Sequence, residues 1–488
     1  MKMILTLDAG TTSLKGALFD LSGDMLACRV HEYHLEKPAP DIVELDPEIY
    51  WLAAKAVITE ILGEAKVHPE NIIALGVTSQ GETLIVLDKN GKPLRKAIVW
   101  LDNRAGEEAE TIKRKFGRDL VYKMTGQQDI VPGWPASKIL WLRKHEPDVF
   151  ESAAKYLMLG DYLIYRLTGV FATDHALNPS TLYYDFVNGC WWREMLDFLH
   201  VSEKQLPGLL NSGDSAGNII VDIGLAGNTV VTVAPIDQIS AAVGAGNIAP
   251  GMITETTGCA LAICATVEHP AYDPGMNIGL YRHALPGIFV LMPWIPTAGM
   301  ILRWFRDEFC NGMDYGAMIA LASKVPPGSD GLILLPHFSG MNSPEINPDA
   351  KGVFYGMTTA HHKGHFVRAI LESVAFSLRD NIELLEKTGT SCREIVSLGG
   401  AARSALWLQI KADVLNRKVK TMSCEETTSL GTAVLAAAGT GIFANIAEAV
   451  EAMVHPAVTI EPDLANTKTY DNVFIQYRDL NRKLFDRS

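Results

Sequence analysis

The sequence has no CxxC pair among its 7 cysteines, and an odd, widely spaced set supplies neither a disulfide framework nor a zinc site. They are expected to be reduced core residues. No apolar run approaches the ~20 residues that span a bilayer, and Met1-Lys2-Met3 opens straight into a strand pattern rather than a leader. A cytoplasmic protein with no membrane partner is expected. Basic charge is scarce as well: 43 Lys and Arg against 56 Asp and Glu leave a net charge of -13, spread along the chain, which disfavours nucleic acid. A small molecule is the expected ligand. No G-x-x-x-x-G-K-[ST] loop occurs, so any use of ATP follows another plan.

What is present is a chain of 488 residues, 48% hydrophobic and 20% charged, a globular composition too long for one core. It is organised around its first hairpin. Thr6 to Asp8 ends a buried strand, Ala9-Gly10 reverses the chain, and Leu14 to Phe19 returns. The tip, Gly10, Thr11, Thr12 and Ser13, offers N–H groups and hydroxyls to anionic oxygens, and Asp8 beside it can hold Mg²⁺ directly or through water. The competing reading is an ordinary turn.

Met25 to His31 completes a three-stranded meander. Asp46-Pro47-Glu48 then caps a helix whose apolar positions are Ile49, Leu52, Ala53, Val57 and Ile61. Ile72 to Val77 is a buried strand ending in Thr78-Ser79-Gln80-Gly81-Glu82-Thr83, and Leu84 to Leu87 with Asn90-Gly91 reads as a hairpin before Ala97 to Trp100. Ligands of open α/β sheets bind at the carboxyl ends of strands, so Gln80, Glu82, Trp100, Asp102 and Arg104 are candidates for a polar substrate, against simple loop solvation. Trp134, just before a helix that starts after Pro132 and ends near Pro147, is a candidate pocket wall.

Val231 to Val243 passes from strand to small-residue helix with Asp237 and Gln238 at the junction, where Asp237 is either a helix cap or a general base. Gly251 to Ile263 repeats the opening hairpin, with Thr256-Thr257-Gly258 at its tip; the repeat places a domain boundary at about residue 246, giving domains 1–246 and 247–488. Val396 to Leu398 runs through Gly399-Gly400 into a helix with Trp407, and Gly431 inside the 427–438 helix points to close packing. Two motifs are set aside. Gly244-Ala245-Gly246-Asn247-Ile248-Ala249 fits G-x-G-x-x-A but follows a helix, and His361, His362 and His365 lack the partners of a zinc site.

Taken together these stretches make the chain resemble the FGGY carbohydrate kinases from end to end. Asp8-Ala9-Gly10-Thr11-Thr12 is similar to the family's first phosphate loop, with Lys15 where many members carry arginine. Gly133 to His145, with Lys138 and Trp141, matches the first family signature, and Gly352 to Met357 with His365-Phe366 and Ala369 to Glu372 matches the second. The resemblance implies an α/β, two-domain actin-like or ribonuclease H-like ATPase fold with the active site in the interdomain cleft. It implies Asp237 as catalytic base, Asp8 near Mg²⁺, and the tips at Gly10, Thr11, Thr12, Ser13 and at Thr257-Gly258 on the ATP phosphates. Gly299 and Arg303 fall where the family touches the nucleotide, and Gly399-Gly400 with Ser404 where it holds adenosine.

For the substrate, Gln80-Gly81-Glu82-Thr83 and Asp237-Gln238 resemble glycerol kinases, but Gly81 and Gly133 stand where those carry an arginine and a tyrosine, which leaves room for a longer substrate. Gly160 to Leu163 and Asp174 to Asp185 resemble xylulose kinases. The implied substrate is a ketopentose such as xylulose, with ribulose, erythritol and glycerol as alternatives and a homodimer as the implied assembly. The alternative class is an actin-like ATPase acting in assembly or sensing.

Overall fold

A computed structural model describes residues 2–485. The first sheet holds β1 (Met3–Ala9), β2 (Ser13–Asp20), β3 (Met25–Glu32), β4 (Ile72–Ser79), β5 (Ser215–Asn218) and β6 (Val230–Ile236), in the order β5-β6-β4-β1-β2-β3. β1, β2 and β3 are antiparallel, whereas β4 lies parallel to both β1 and β6. The second sheet repeats this plan. β7 (Met252–Thr257) and β8 (Leu261–Val267) form the second hairpin, β8 continues to β9 (Phe289–Met292), and β10 (Glu394–Leu398) and β11 (Val419–Met422) add in parallel beside β7. In both halves, therefore, a hairpin borders the parallel strands, and the tips and the strand ends meet on one side.

Helix α1 (Pro47–Ala65) starts where expected, with Asp46 accepting the Glu48 N–H at 2.9 Å. Its inner face differs from the expected one. Ile49 and Leu52 are exposed, while Tyr50, Trp51, Ala54 and Ile58 are buried with Ala53, Val57 and Ile61. Apolar residues surround this helix, so its period alone leaves the face open; Gly16 of β2, against which Ile61 and Val57 pack, decides it. The expected hairpin at Asn90-Gly91 is also looser than a ladder. Leu84 and Ile98 share one bridge, but Ile85–Leu87 pairs with Lys155–Leu157, and Ala97–Ile98 pairs with Ile42–Leu45. All 7 cysteines are free, yet only Cys264 and Cys310 are buried, and Cys190 and Cys259 are exposed.

Helix α2 (Pro135–His145) sits under the 80–83 and 98–102 loops. α3 (Asp237–Gly244) follows β6 directly, α4 is Gly299–Phe309, and α5 (Ala405–Leu415) follows β10 through the Gly399-Gly400 turn. α6 (Thr427–Gly439), although late in the chain, packs on the first sheet: a Cβ on Gly76 of β4 would meet Thr432 at 2.7 Å. One apolar core accordingly joins Ile4, Phe19 and Ala74 to Leu430, Val434 and Met453. No helix of the described residues is long and apolar enough to cross a membrane.

Candidate active site

The end of β6 and the start of α3 place Asp237 at the head of the site. Asp237 Oδ1 accepts the Gln238 N–H at 2.8 Å, while Oδ2 has no partner among the described residues. Burial, and after it the charge of Asp8, holds the Asp237 carboxyl well above the ordinary carboxylate range. Asp8, at the end of β1, is pushed up to about 6, chiefly by burial and against the pull of Lys15. Burial also raises Glu82, which stands in the left-handed region at φ 61°. Beside Asp237, Gln238 Oε1 is buried without a partner. The site thus gathers carboxylates short of counter-charge and an unpaired acceptor.

Two of the expected substrate contacts turn out to be committed elsewhere. Asp102 is fully buried, with both oxygens on the Arg104 guanidinium at 2.8 and 2.7 Å and Oδ2 also accepting the Val43 N–H at 2.6 Å. Its carboxylate holds the loop, with both oxygens engaged by protein groups. Gln80 belongs to a closed ring. Trp100 Nε1 donates to Thr11 Oγ1 at 2.9 Å, Thr11 Oγ1 to Gln80 Oε1 at 3.1 Å, and Gln80 Nε2 to Thr83 Oγ1 at 3.0 Å. The Trp100 N–H closes it on Thr83 Oγ1 at 3.2 Å. Both Thr11 and Gln80 therefore shape the site by tying the first hairpin to the 80–83 loop.

Lys138 is fully buried and donates to three carbonyls, those of Glu82 at 2.8 Å, Val99 at 3.0 Å and Ile98 at 3.3 Å. Burial pulls its pKa down to about 7. Next to these loops a cavity of about 290 Å³ is lined by Trp100, Gln127, Gln128, Asp129, Gly133 and Trp134 from the first half and Tyr281, Trp294, Asn342 and Ile346 from the second. Gly133 and Gly81 do not themselves create its room. A Cβ on Gly133 would lie 2.7 Å from the Trp100 carbonyl oxygen, and one on Gly81 would lie 2.9 Å from Ile236 Cδ1. Backbone and core occupy those directions, so the space lies between the halves instead.

A larger cavity, about 880 Å³, brings together Thr257, Gly258, Gly299, Arg303, Gly400 and Ser404, residues drawn from three separate stretches. Ser404 Oγ also caps α5 by accepting the Trp407 N–H at 3.3 Å. Gly399, which precedes the lining Gly400, stands at φ 77° and is not itself in the lining. At the two tips the Gly10 and Gly258 N–H groups are bonded within their own hairpins, to Ser13 O and Ala260 O, each at 2.9 Å. This leaves Thr12, the most exposed residue of the first tip, and the neighbouring N–H groups for an anion. Thr257 lines this cavity, but its side chain is buried and its hydroxyl is turned inward, donating to Glu255 Oε2 at 2.7 Å.

Several partners escaped sequence reading because they lie far off in the chain. Lys15 pairs with Glu426, and Arg303 Nη2 donates to Cys259 Sγ at 2.8 Å. Among the described residues no group of three or more His, Cys, Asp or Glu forms a metal cage. Asp8 nevertheless fits Mg²⁺, a hard cation commonly held by one or two carboxylates together with substrate phosphates.

Comparison with known proteins gives this geometry its family. Residues 3–244 match the N-terminal domain, and residues 252–440 the C-terminal domain, of the FGGY family of carbohydrate kinases. A xylulose kinase of Bacillus subtilis is 28% identical over 98% of this chain and 97% of its own. A glycerol kinase of Thermococcus gammatolerans is 33% identical over 95% of this chain and 94% of its own. The ligand-bound xylulose kinase of Lactobacillus acidophilus superposes with a TM-score of 0.92 at 26% identity, covering 99% of this chain and 98% of that one. With two actin-like halves, each built around such a hairpin, the chain belongs to the FGGY family of carbohydrate kinases.

Proposed function

We propose that the protein transfers the γ-phosphoryl group of ATP to a terminal hydroxyl of a short, uncharged sugar, a ketopentose such as D-xylulose before ribulose, erythritol or glycerol. The observation that carries this reading is Asp237, a half-buried carboxylate at a strand end, with a raised pKa and one oxygen free of protein partners among the described residues. As the hydroxyl oxygen attacks the γ-phosphorus in line, Asp237 Oδ2 takes its proton and ADP leaves. Asp8 would hold Mg²⁺, which neutralises phosphate charge when bound. Gln238 Oε1 and Glu82 would accept sugar hydroxyls, and closure of two halves divided near residue 246 would keep water from the γ-phosphate.

The choice of sugar rests on the 290 Å³ cavity. Its indole faces suit C–H surfaces, and its amides suit hydroxyls. Glycerol leaves most of this space unfilled. A sugar acid meets Asp129 there and finds no Lys or Arg among the lining residues. The deciding experiment is a coupled ADP-release assay with MgATP and a panel of ketopentoses, aldoses, tetritols, glycerol and gluconate, with the product identified by mass. Turnover of D-xylulose with equal ADP and phosphosugar is expected, and glycerol should be poor. Efficient glycerol turnover overturns the cavity argument. Silence across the panel with MgATP binding intact favours an actin-like ATPase of assembly or sensing.

A further inference from the structure

Behind the second hairpin lies a pair of charges that the proposed reaction does not use. Glu255 of β7 and Lys411 of α5 are both 0% exposed and form an ion pair. The Lys411 ammonium also donates to Thr257 Oγ1 at 3.1 Å and to Ser397 Oγ at 3.2 Å, so each of its three hydrogens has an acceptor. Thr257 and Ser397 in turn donate their hydroxyl protons to the two oxygens of Glu255. The ammonium stands 5.5 Å from the ring centre of Trp407. Taking two charges out of water is costly, and their attraction offsets that cost only when the remaining hydrogen bonds are satisfied, as they are here.

The network's members come from the parts that surround the larger cavity. Thr257 ends β7 at the hairpin tip, and Ser397 of β10 immediately precedes the Gly399-Gly400 turn. Lys411 lies on α5, whose first residues, through Trp407, line the cavity. The turn rests directly on the tip, because a Cβ on Gly399 would lie 2.9 Å from Thr257 O. The first-half residues of the proposed sugar site, Glu82, Asp237 and Gln238, take no part in it.

We propose that the Glu255–Lys411–Ser397–Thr257 network is a positioning device for the nucleotide, fixing the phosphate-side tip at Thr257-Gly258 relative to the base-side turn at Gly400–Ser404. It rests on the reading of the 880 Å³ cavity as the nucleotide site. Glu255 and Lys411 are positioning residues, since neither reaches the cleft. The Thr257 hydroxyl belongs to the network and not to the ligand; Thr257 serves a phosphate through its backbone.

The test reads nucleotide and sugar separately. Lys411→Met should raise the Kd for MgADP, measured by calorimetry, and the KM for MgATP by at least about tenfold, while the KM for the sugar stays within about twofold. Thr257→Val added to Lys411→Met should cost less than about twofold more, because both cut one network. If Lys411→Met fails to fold around an unpaired Glu255, Glu255→Gln/Lys411→Met buries no charge and should show the same nucleotide defect. Unchanged MgADP affinity in either folded variant overturns the proposal. So does an equal rise in sugar and nucleotide KM, or full additivity with Thr257→Val. A wild-type chain that binds no MgADP would instead overturn the nucleotide reading of the cavity, and the network's role with it.

Discussion

Gly431 of α6 lies against the Ser240 carbonyl of α3 so closely that a Cβ on it would come within 1.8 Å of the oxygen. The contact is reciprocal, for a Cβ on Gly244 would lie 1.9 Å from Thr427 O. The two helices cross backbone to backbone, and α3 begins with Asp237. Gly431→Ala should push them apart, costing about 1–3 kcal/mol of stability and lowering kcat, because the base rides on the displaced helix. Thermal unfolding and steady-state kinetics check this. Wild-type values for both would refute the crossing as a constraint on the site.

Asp237→Asn should lower kcat by about 10² to 10⁴ and leave MgADP affinity unchanged. Because burial and the Asp8 charge raise the Asp237 pKa, the base is protonated at low pH. Wild-type kcat/KM should therefore climb as pH rises through that raised pKa. The residual activity of the Asn variant should lack this climb. A near-normal kcat removes Asp237 from the chemistry.

Lys138→Met leaves the carbonyls of Glu82, Ile98 and Val99 without their shared donor. A stability loss of about 1–3 kcal/mol is expected. Glu82, held at φ 61°, then loses the bond that fixes it, so the sugar KM should rise at least about tenfold with little change in MgADP binding. An unchanged sugar KM in a folded variant would count against Lys138 as the support of this loop.

Asp161 and Asp174 are buried carboxyls, each pushed up to about 7 by loss of water, and each has one oxygen without a partner. A carboxyl whose folded pKa is raised stabilises the fold below its unfolded pKa of 3.8 and loses that contribution as pH rises through about 7. At about 1.4 kcal/mol per pK unit, Asp161→Asn should gain roughly 2–4 kcal/mol relative to wild type between pH 4 and pH 8. Urea unfolding at both pH values measures the change. A difference between the two proteins that does not vary with pH would show that Asp161 does not hold its proton in the fold.

By itself the sequence determined what short stretches can specify. Alternating apolar residues around Gly10 and Gly258 define both hairpins, Asp46-Pro47 defines the start of α1, and the Val231–Asp237 run defines a strand end with a carboxylate on it. These signals are local, because turn residues and side-chain period act over a few positions. Only the tertiary structure decided where each polar group points. Asp102 turns to Arg104, Thr11 joins a ring with Trp100 and Gln80, and Thr257 turns its hydroxyl inward to Glu255. Lys411 finds Glu255 across 156 positions, and α6 returns to the first sheet. Nothing in the neighbouring residues encodes such pairings. They follow from burial, which obliges each polar group removed from water to take whichever partner the packed elements bring beside it.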